Sequence, residues 1–319
     1  MSPPAPTAAD SPAGPGGAIA ELDGRPAFTV AASAASPIPV LIAVPHGGRA
    51  YPATVLAAMR DPLRAALRLE DRLADRLGEA VAAETGAALI VAHAPRAMID
   101  LNRAADDVDW EMIEPRPLLP AGRGAAHPGR RARSGLGLVP RRLPGLGEVW
   151  QRRLPRAVLE ARIAGIHAPY HACVDAELAR IRRRWGAALL LDLHSMPPLG
   201  ERHAMGLAPQ FVIGDRFGAT CDGGLVGAAF SAFAESGRRA AHNRPYAGGY
   251  ALERHAAPRR GIHALQLEVD RRCYLDAEMR ELGPGFAATA TLLASLVRRL
   301  AAEVALLGGG GGAWPVAAE

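Results

Sequence analysis

Lysine is absent from this chain: all 37 basic residues among its 319 are arginine. That absence excludes whole mechanisms, because a pyridoxal phosphate Schiff base and a phosphate-binding loop of the Walker type both need a lysine amine. The arginines are scattered along helical stretches and concentrated between Arg116 and Arg156, without the aromatic interleaving of a single-strand nucleic-acid platform, so no nucleic-acid partner is expected. Total replacement of lysine reads instead as compositional drift. Cysteine is also scarce. Cys173, Cys221 and Cys273 form no C-x-x-C pair, and an odd, dispersed count offers no disulfide framework, so they read as buried free thiols. No uninterrupted apolar run reaches the roughly 18 to 20 residues of a membrane span. The Pro/Ala/Gly-rich start lacks the basic end and apolar centre of a secretory signal. A cytoplasmic protein with no membrane partner is the expectation.

What is present is apolar: 49% of the residues are hydrophobic, enough for a large core in a chain of this length. Residues 1–18, rich in Pro, Ala, Gly and Ser, and residues 308–319, which open on a glycine run, read as disordered tails because neither can bury enough apolar surface to offset ordering. Residues 19–307 then form a single domain. Continuous runs bounded by Gly or Pro, Pro39 to Val44 and Ala187 to Leu193, read as strands buried on both faces. Ala87 to Ala92, Phe211 to Gly214 and His263 to Val269 read as further strands. Between them, Asp61-Pro62 opens a helical spacing that passes Leu73, Leu77 and Val81 and stops at Gly86. Helices are also expected over 148–184, interrupted at Pro155 and Pro169, over 221–236 and over 276–306. Strands alternating with helices predict an α/β fold with a mainly parallel sheet. The segment 104–146, irregular and crowded with prolines, glycines and arginines, is long for an inert connection and reads as an active-site cover.

Two of the apolar runs end on a histidine, His46 in Pro-His-Gly-Gly and His194 in Leu-Asp-Leu-His-Ser. Ligands collect at the carboxyl ends of parallel strands, so two imidazoles delivered there suggest a metal site. A catalytic zinc site takes three protein ligands and leaves one position open. Asp71 is the third candidate, with Glu70 competing beside it, and Asp192, two residues before His194 on the same side of its strand, can orient that imidazole. Glu268 sits inside the apolar strand Ala264 to Val269, where a merely packed side chain would be aliphatic, and reads as the acid-base group. Arg103 follows Asn102, a pairing suited to bidentate holding of a carboxylate, and Arg96, Asn243 and Tyr246 are weaker candidates for the same pocket. His167 and His171 are four apart, but Pro169 between them breaks the helix that would align them, so they read as structural. Ser195 has no G-x-S-x-G elbow around it and points to the strand face opposite His194.

Taken in order, Val44-Pro45-His46-Gly47-Gly48 with Tyr51-Pro52, Glu70-Asp71 with Asp75, and Ile99-Asp100-Leu101-Asn102-Arg103 begin a pattern. Ser134 to Pro140, Pro169-Tyr170-His171, Leu191 to Pro197, Asn243 to Tyr250 and Leu265 to Asp270 complete it. Over roughly residues 38 to 280 this set resembles the N-formylglutamate amidohydrolase family, a branch of the zinc carboxypeptidase and aspartoacylase architecture. The resemblance implies a three-layer fold, phosphorylase/hydrolase-like, with a mixed eight-stranded sheet between helices. It also implies one zinc ion on His46, Asp71 and His194, general acid-base catalysis by Glu268, and substrate carboxylates held by arginine, Arg103 first. The implied reaction is hydrolysis of the amide bond of a small-molecule N-acyl amino acid, with formate and the free amino acid as products for an N-formyl substrate. A related acylase or peptidase, or a binding protein without catalysis, is the alternative. The sequence leaves the oligomeric state open.

Overall fold

The computed structural model describes residues 16–32, 36–116, 130–200, 202–203 and 206–309. Seven strands form the main sheet: β1 (Phe28–Ala31), β2 (Val40–Val44), β3 (Ala88–Ala92), β4 (Ala188–Met196), β5 (Phe211–Gly214), β6 (Ala240–His242) and β7 (Ile262–Asp270). Their spatial order is β1-β3-β2-β4-β7-β5-β6. The central four, β3, β2, β4 and β7, run parallel, while β1 is antiparallel to β3 and β5 is antiparallel to β7. The mixed, mostly parallel sheet is as expected, but among the described residues it has seven strands, not eight.

Strand alternation divides the core in two. Val40, Ile42 and Val44 of β2 and Leu189, Leu191 and Leu193 of β4 face one layer, built on α2 (Ala74–Thr85), α4 (Gly223–Glu235) and α5 (Phe286–Leu307). Leu41, Ala43, Ala188 and Leu190 face the other, which contains Ala65 and Leu69 of α1 (Pro62–Leu69) and Tyr170, Val174, Leu178 and Ile181 of α3 (Ala168–Trp185). Both faces of the central strands are therefore apolar, as a doubly covered parallel sheet requires. Leu190 has no exposed surface in the most central of these strands, and Leu190→Ala is expected to lower unfolding stability by about 2–5 kcal/mol. Denaturant unfolding followed by circular dichroism measures it.

The structure departs from the sequence reading in four places. The helix opened by Asp61-Pro62 is two helices, α1 and α2, separated by Glu70–Leu73, with Leu73 in the left-handed region at φ 57°. Pro169 does not separate His167 from His171: a π-turn over Ile163–His167 leads straight into α3, and the two rings lie 4.4 Å apart. The closing helix starts at Phe286 and not near 276, after Gly283-Pro284-Gly285. Ordered backbone begins before residue 19, since Gly16 bridges Phe28 and the Ala18 N–H donates to the Gly165 carbonyl at 2.9 Å, and it continues through Gly309. Of the tails expected over 1–18 and 308–319, residues 1–15 and 310–319 lie outside the described residues. No described helix is long and apolar enough to cross a membrane.

Candidate active site

Strand periodicity places the site. Along β4, Ala188 and Leu190 point into the α3 layer, so Asp192 and His194 follow on that same face toward the strand's carboxyl end. Along β7, Ala264 is followed in the same way by Gln266 and Glu268. The parallel register sets Asp192 against Gln266 and His194 against Glu268. Beyond the helical cover this face opens into a cavity of about 760 Å³, lined among others by His46, Asp71, Arg96, Arg103, His194 and Glu268.

His46 lies two residues past the end of β2, in a turn that packs directly on the backbone of His93 and Ala94: a Cβ at Gly48 would overlap the Ala94 carbonyl oxygen, so only glycine fits. Asp71 sits in the break between α1 and α2. Its N–H donates to the His46 carbonyl at 3.0 Å, and the buried Arg271 guanidinium donates to the Leu67 and Glu70 carbonyls, satisfying backbone groups at the end of α1. This long-range tie ends the helix where local spacing would continue it. Glu70 turns its carboxylate to Arg72 at 3.3 Å, so Asp71, not Glu70, meets the two imidazoles.

Asp71 Oδ2 lies 2.9 Å from His194 Nδ1 and 3.6 Å from His46 Nδ1, and one ligand atom from each of the three residues falls within 4.8 Å of the others. The opposite ring nitrogens are committed elsewhere. His46 Nε2 pairs with Asp100 Oδ1 at 2.7 Å, and His194 Nε2 pairs with Asp192 Oδ2 at 2.9 Å. Two buried carboxylates thus fix Nε2 as the donor of each ring and aim both Nδ1 atoms at Asp71, the arrangement that orients histidine ligands around a cation. His46 Nδ1 is buried with no hydrogen-bond partner, an orphaned lone pair that a metal ion would satisfy. Burial alone would push the Asp71 carboxyl up, but the hydrogen bond to His194 and the nearby His46 imidazole hold it far below the usual range. Burial likewise opposes charge on His194, yet Asp192 and Asp71 raise it well above an ordinary imidazole.

Glu268 is buried, and Gln266 Nε2 donates to its Oε1 at 2.8 Å. Burial, reinforced by Asp71 and Asp192 and opposed by His194 and Arg96, raises its carboxyl to about 7, a value suited to taking and returning a proton near neutrality. Arg96 Nε donates to Asp100 Oδ2 at 2.9 Å, and Arg103 uses Nε and Nη1 on the Leu136 and Asn102 carbonyls at 2.9 and 2.7 Å. Both also line the cavity, with Arg68, Arg131, Arg216 and Arg271, among carboxylates that include Asp106, Asp107 and Glu253. Tyr246 lines it too. Burial, with Glu268 adding to it, raises its phenol.

Two expected substrate contacts are used differently. Asn102 reaches the cavity, but its amide is engaged: Nδ2 donates to Gln266 Oε1 at 3.3 Å and Oδ1 accepts the Ala251 N–H at 2.8 Å. Asn243 does not line the cavity. Its Nδ2 donates to Asp215 Oδ1 at 2.7 Å and its Oδ1 accepts the Asp215 N–H at 3.0 Å, a lock on the turn before Tyr246. Ser195 Oγ accepts from Arg271 Nε at 3.2 Å, so its hydroxyl serves that guanidinium and not a histidine base. Sequence reasoning missed Asp100 and Arg271 as site residues. Asp100 stood inside the Ile99 to Arg103 string, where a buried-type Ile-Asp-Leu pattern was the available signal. Arg271 had none, since the carbonyls it caps at the end of α1 are about 200 residues away. The described parts of the 104–146 segment do wall the cavity, through Ala104, Asp106, Asp107, Arg131, Leu136, Leu143 and Pro144.

Comparison with known proteins points the same way. The chain is 31% identical over 246 residues to an N-formylglutamate deformylase of Pseudomonas aeruginosa, covering 76% of this chain and 84% of that protein. It is 30% identical over 240 residues to one from Pseudomonas putida, covering 75% and 82%. The crystal structure of an N-formylglutamate amidohydrolase from Ralstonia eutropha superposes with a TM-score of 0.75 at 32% identity, over 87% of this chain and 98% of that one. A gene product of Agrobacterium tumefaciens, 17% identical, shares the fold with a TM-score of 0.62 over 87% and 96%. Residues 38–275 match the family profile described as N-formylglutamate amidohydrolase, and the chain belongs to that family.

Proposed function

We propose that this protein is a zinc-dependent hydrolase of N-formyl amino acids, with N-formylglutamate as the type substrate and formate and the free amino acid as products. The observation that carries the reading is the convergence of His46 Nδ1, Asp71 and His194 Nδ1 on one point beside Glu268, in a cavity walled by arginines. Those three side chains would hold the ion, with Asp100 and Asp192 orienting the imidazoles. A bound divalent ion supplies Lewis acidity, polarising a carbonyl and making water a better nucleophile at neutral pH. Glu268 accepts a proton from the water that attacks the formyl carbon, then delivers it to the amine nitrogen as the C–N bond breaks. Arg96 and Arg103, tied by Asp100 and by backbone carbonyls, present their remaining N–H groups to the substrate carboxylates.

Metal analysis of the purified protein, combined with turnover of N-formyl, N-acetyl and N-succinyl amino acids before and after chelation, tests this. Loss of N-formylglutamate hydrolysis on chelation and its return with zinc are expected; undiminished turnover in metal-free enzyme would refute it. A related acylase acting on larger N-acyl groups is the second reading, favoured by the size of the cavity, and preference for the acetyl or succinyl substrate would select it. Asp100→Asn is expected to weaken zinc binding by roughly 10- to 100-fold, because the amide no longer offers His46 Nε2 a charged acceptor. Competition with a chromophoric chelator measures that loss.

A further inference from the structure

Arg216 stands on the cavity wall with a backbone conformation that its residue type disfavours. It and Phe217 enter the left-handed region in succession, at φ 52° and 59°, where residues bearing a Cβ are strained. Phe217 is 71% exposed, so no burial of its ring compensates. The surroundings hold the turn instead. Asp215, just before it, is buried, and its Oδ1 meets Asn243 Nδ2 at 2.7 Å and His242 Nε2 at 3.0 Å. The Arg216 N–H donates to the Ala247 carbonyl at 2.7 Å. From there the arginine stem crosses Gly248, which sits at φ 107°. A Cβ on that residue would lie 3.3 Å from Arg216 Cγ and 2.5 Å from Leu252 Cδ2, so glycine leaves room for the crossing.

This arrangement delivers a guanidinium to the cavity beside a single carboxylate. Arg216 Nη2 pairs with Glu253 Oε2 at 3.0 Å, both residues line the cavity, and 36% and 61% of the two side chains are exposed. An ion pair so open to water adds little stability, less than two strained residues cost, so the pair alone does not explain the turn. Arg68 and Arg271, also on the wall, are tied to backbone carbonyls. Arg216 instead already holds the group that an acidic substrate would bring. Its distance from the reacting atoms follows from the sheet. β5 ends at Gly214 opposite Gln266, whereas Glu268 stands opposite Val212, about 7 Å back along the strands. Arg216 therefore follows the end of β5 that lies away from Glu268.

We propose that Arg216 is a specificity-determining residue: it binds the substrate carboxylate farther from the scissile amide, and Glu253 holds the guanidinium in place until that carboxylate displaces it. The nearer carboxylate is left to Arg96 and Arg103. The inference rests on the functional reading above and narrows its substrate class to N-formyl derivatives of dicarboxylic amino acids. Exchanging one carboxylate for another keeps the guanidinium paired with and without substrate. A neutral side-chain amide cannot reproduce that charge-assisted contact.

The test compares N-formylglutamate with N-formylglutamine, the same shape without the distal charge, in wild type, Arg216→Met and Glu253→Gln. Wild type should prefer N-formylglutamate in kcat/KM. In Arg216→Met that preference should fall by about 10- to 100-fold, the range for a hydrogen bond to a charged group, through KM for N-formylglutamate and not through kcat. Glu253→Gln removes the competing carboxylate and should raise the preference severalfold. A role confined to folding of the rim would alter both substrates alike. An unchanged preference in folded Arg216→Met, or no preference in wild type, overturns the inference. Should Arg216→Met fail to fold, the exposed Glu253→Gln substitution decides, and a preference that does not rise overturns it. Failure of the wild type to turn over any N-formyl amino acid would sink the functional reading instead, and calorimetric titration with the same two compounds would still report the preference.

Discussion

Glu268→Gln is expected to lower kcat for N-formylglutamate by about 10²- to 10⁴-fold, the range for removing a positioned general acid-base group, while zinc content and KM stay close to wild type. The substitution keeps the shape of the side chain and its neighbour Gln266 at the same place in the strand, so packing of β7 is preserved. What it removes is a carboxylate held near neutrality by burial, raised to about 7 in the folded protein. An amide can neither accept the proton of the attacking water nor return one to the departing nitrogen, so both halves of the reaction suffer. Steady-state kinetics with metal analysis of the same preparations check this, and a variant that keeps full kcat would remove Glu268 from the chemistry.

The second large effect concerns Asp71. Asp71→Asn keeps the volume of the side chain but removes the negative charge that both imidazoles face, at 2.9 and 3.6 Å. A site left with two neutral nitrogens and an amide has no anionic ligand to offset the desolvation of a divalent ion, so zinc uptake and activity should both be lost. The stability readout is independent of turnover. Wild type in zinc at a thousandfold excess over its Kd should gain about 4 kcal/mol of unfolding free energy by mass action, and Asp71→Asn should gain none. Differential scanning calorimetry with and without the ion separates the two. Equal zinc-induced stabilisation in both proteins would move the third ligand elsewhere, Glu70 being the nearest alternative in sequence.

The histidines and Glu268 were legible because each interrupts a strongly patterned segment. A run such as Ala187 to Leu193 has one physical use, a strand covered on both faces, and a polar residue at its carboxyl end is delivered to the edge where ligands bind. Glu268 was conspicuous for the same reason: a buried strand position excludes a carboxylate unless something there requires one. Asn243 was offered to the pocket because a glycine-rich turn carries no information about which way its amide points. In the folded chain that amide is occupied by Asp215, 28 residues away. The expected helix through Asp71 failed on similar grounds. Helical spacing is a local signal, and the break at Glu70–Leu73 is imposed by a hydrogen bond to His46 and by the Arg271 guanidinium. The π-turn ahead of Pro169 was equally invisible, since proline reads as a breaker unless the neighbouring backbone finds other partners.

Periodicity and composition alone set out the layered α/β organisation, the strands that lead to His46 and hold His194 and Glu268, and the absence of lysine-dependent chemistry. Only the tertiary structure decided that Asp71 and not Glu70 faces the imidazoles, that Asp100 locks the His46 ring, and that Arg271 shapes the bend between α1 and α2. These are contacts between residues far apart in the chain, 54 positions for His46 and Asp100 and 201 for Glu70 and Arg271. Side-chain direction at a bend depends on which distant group satisfies each buried donor and acceptor, and no local pattern in the chain encodes that choice.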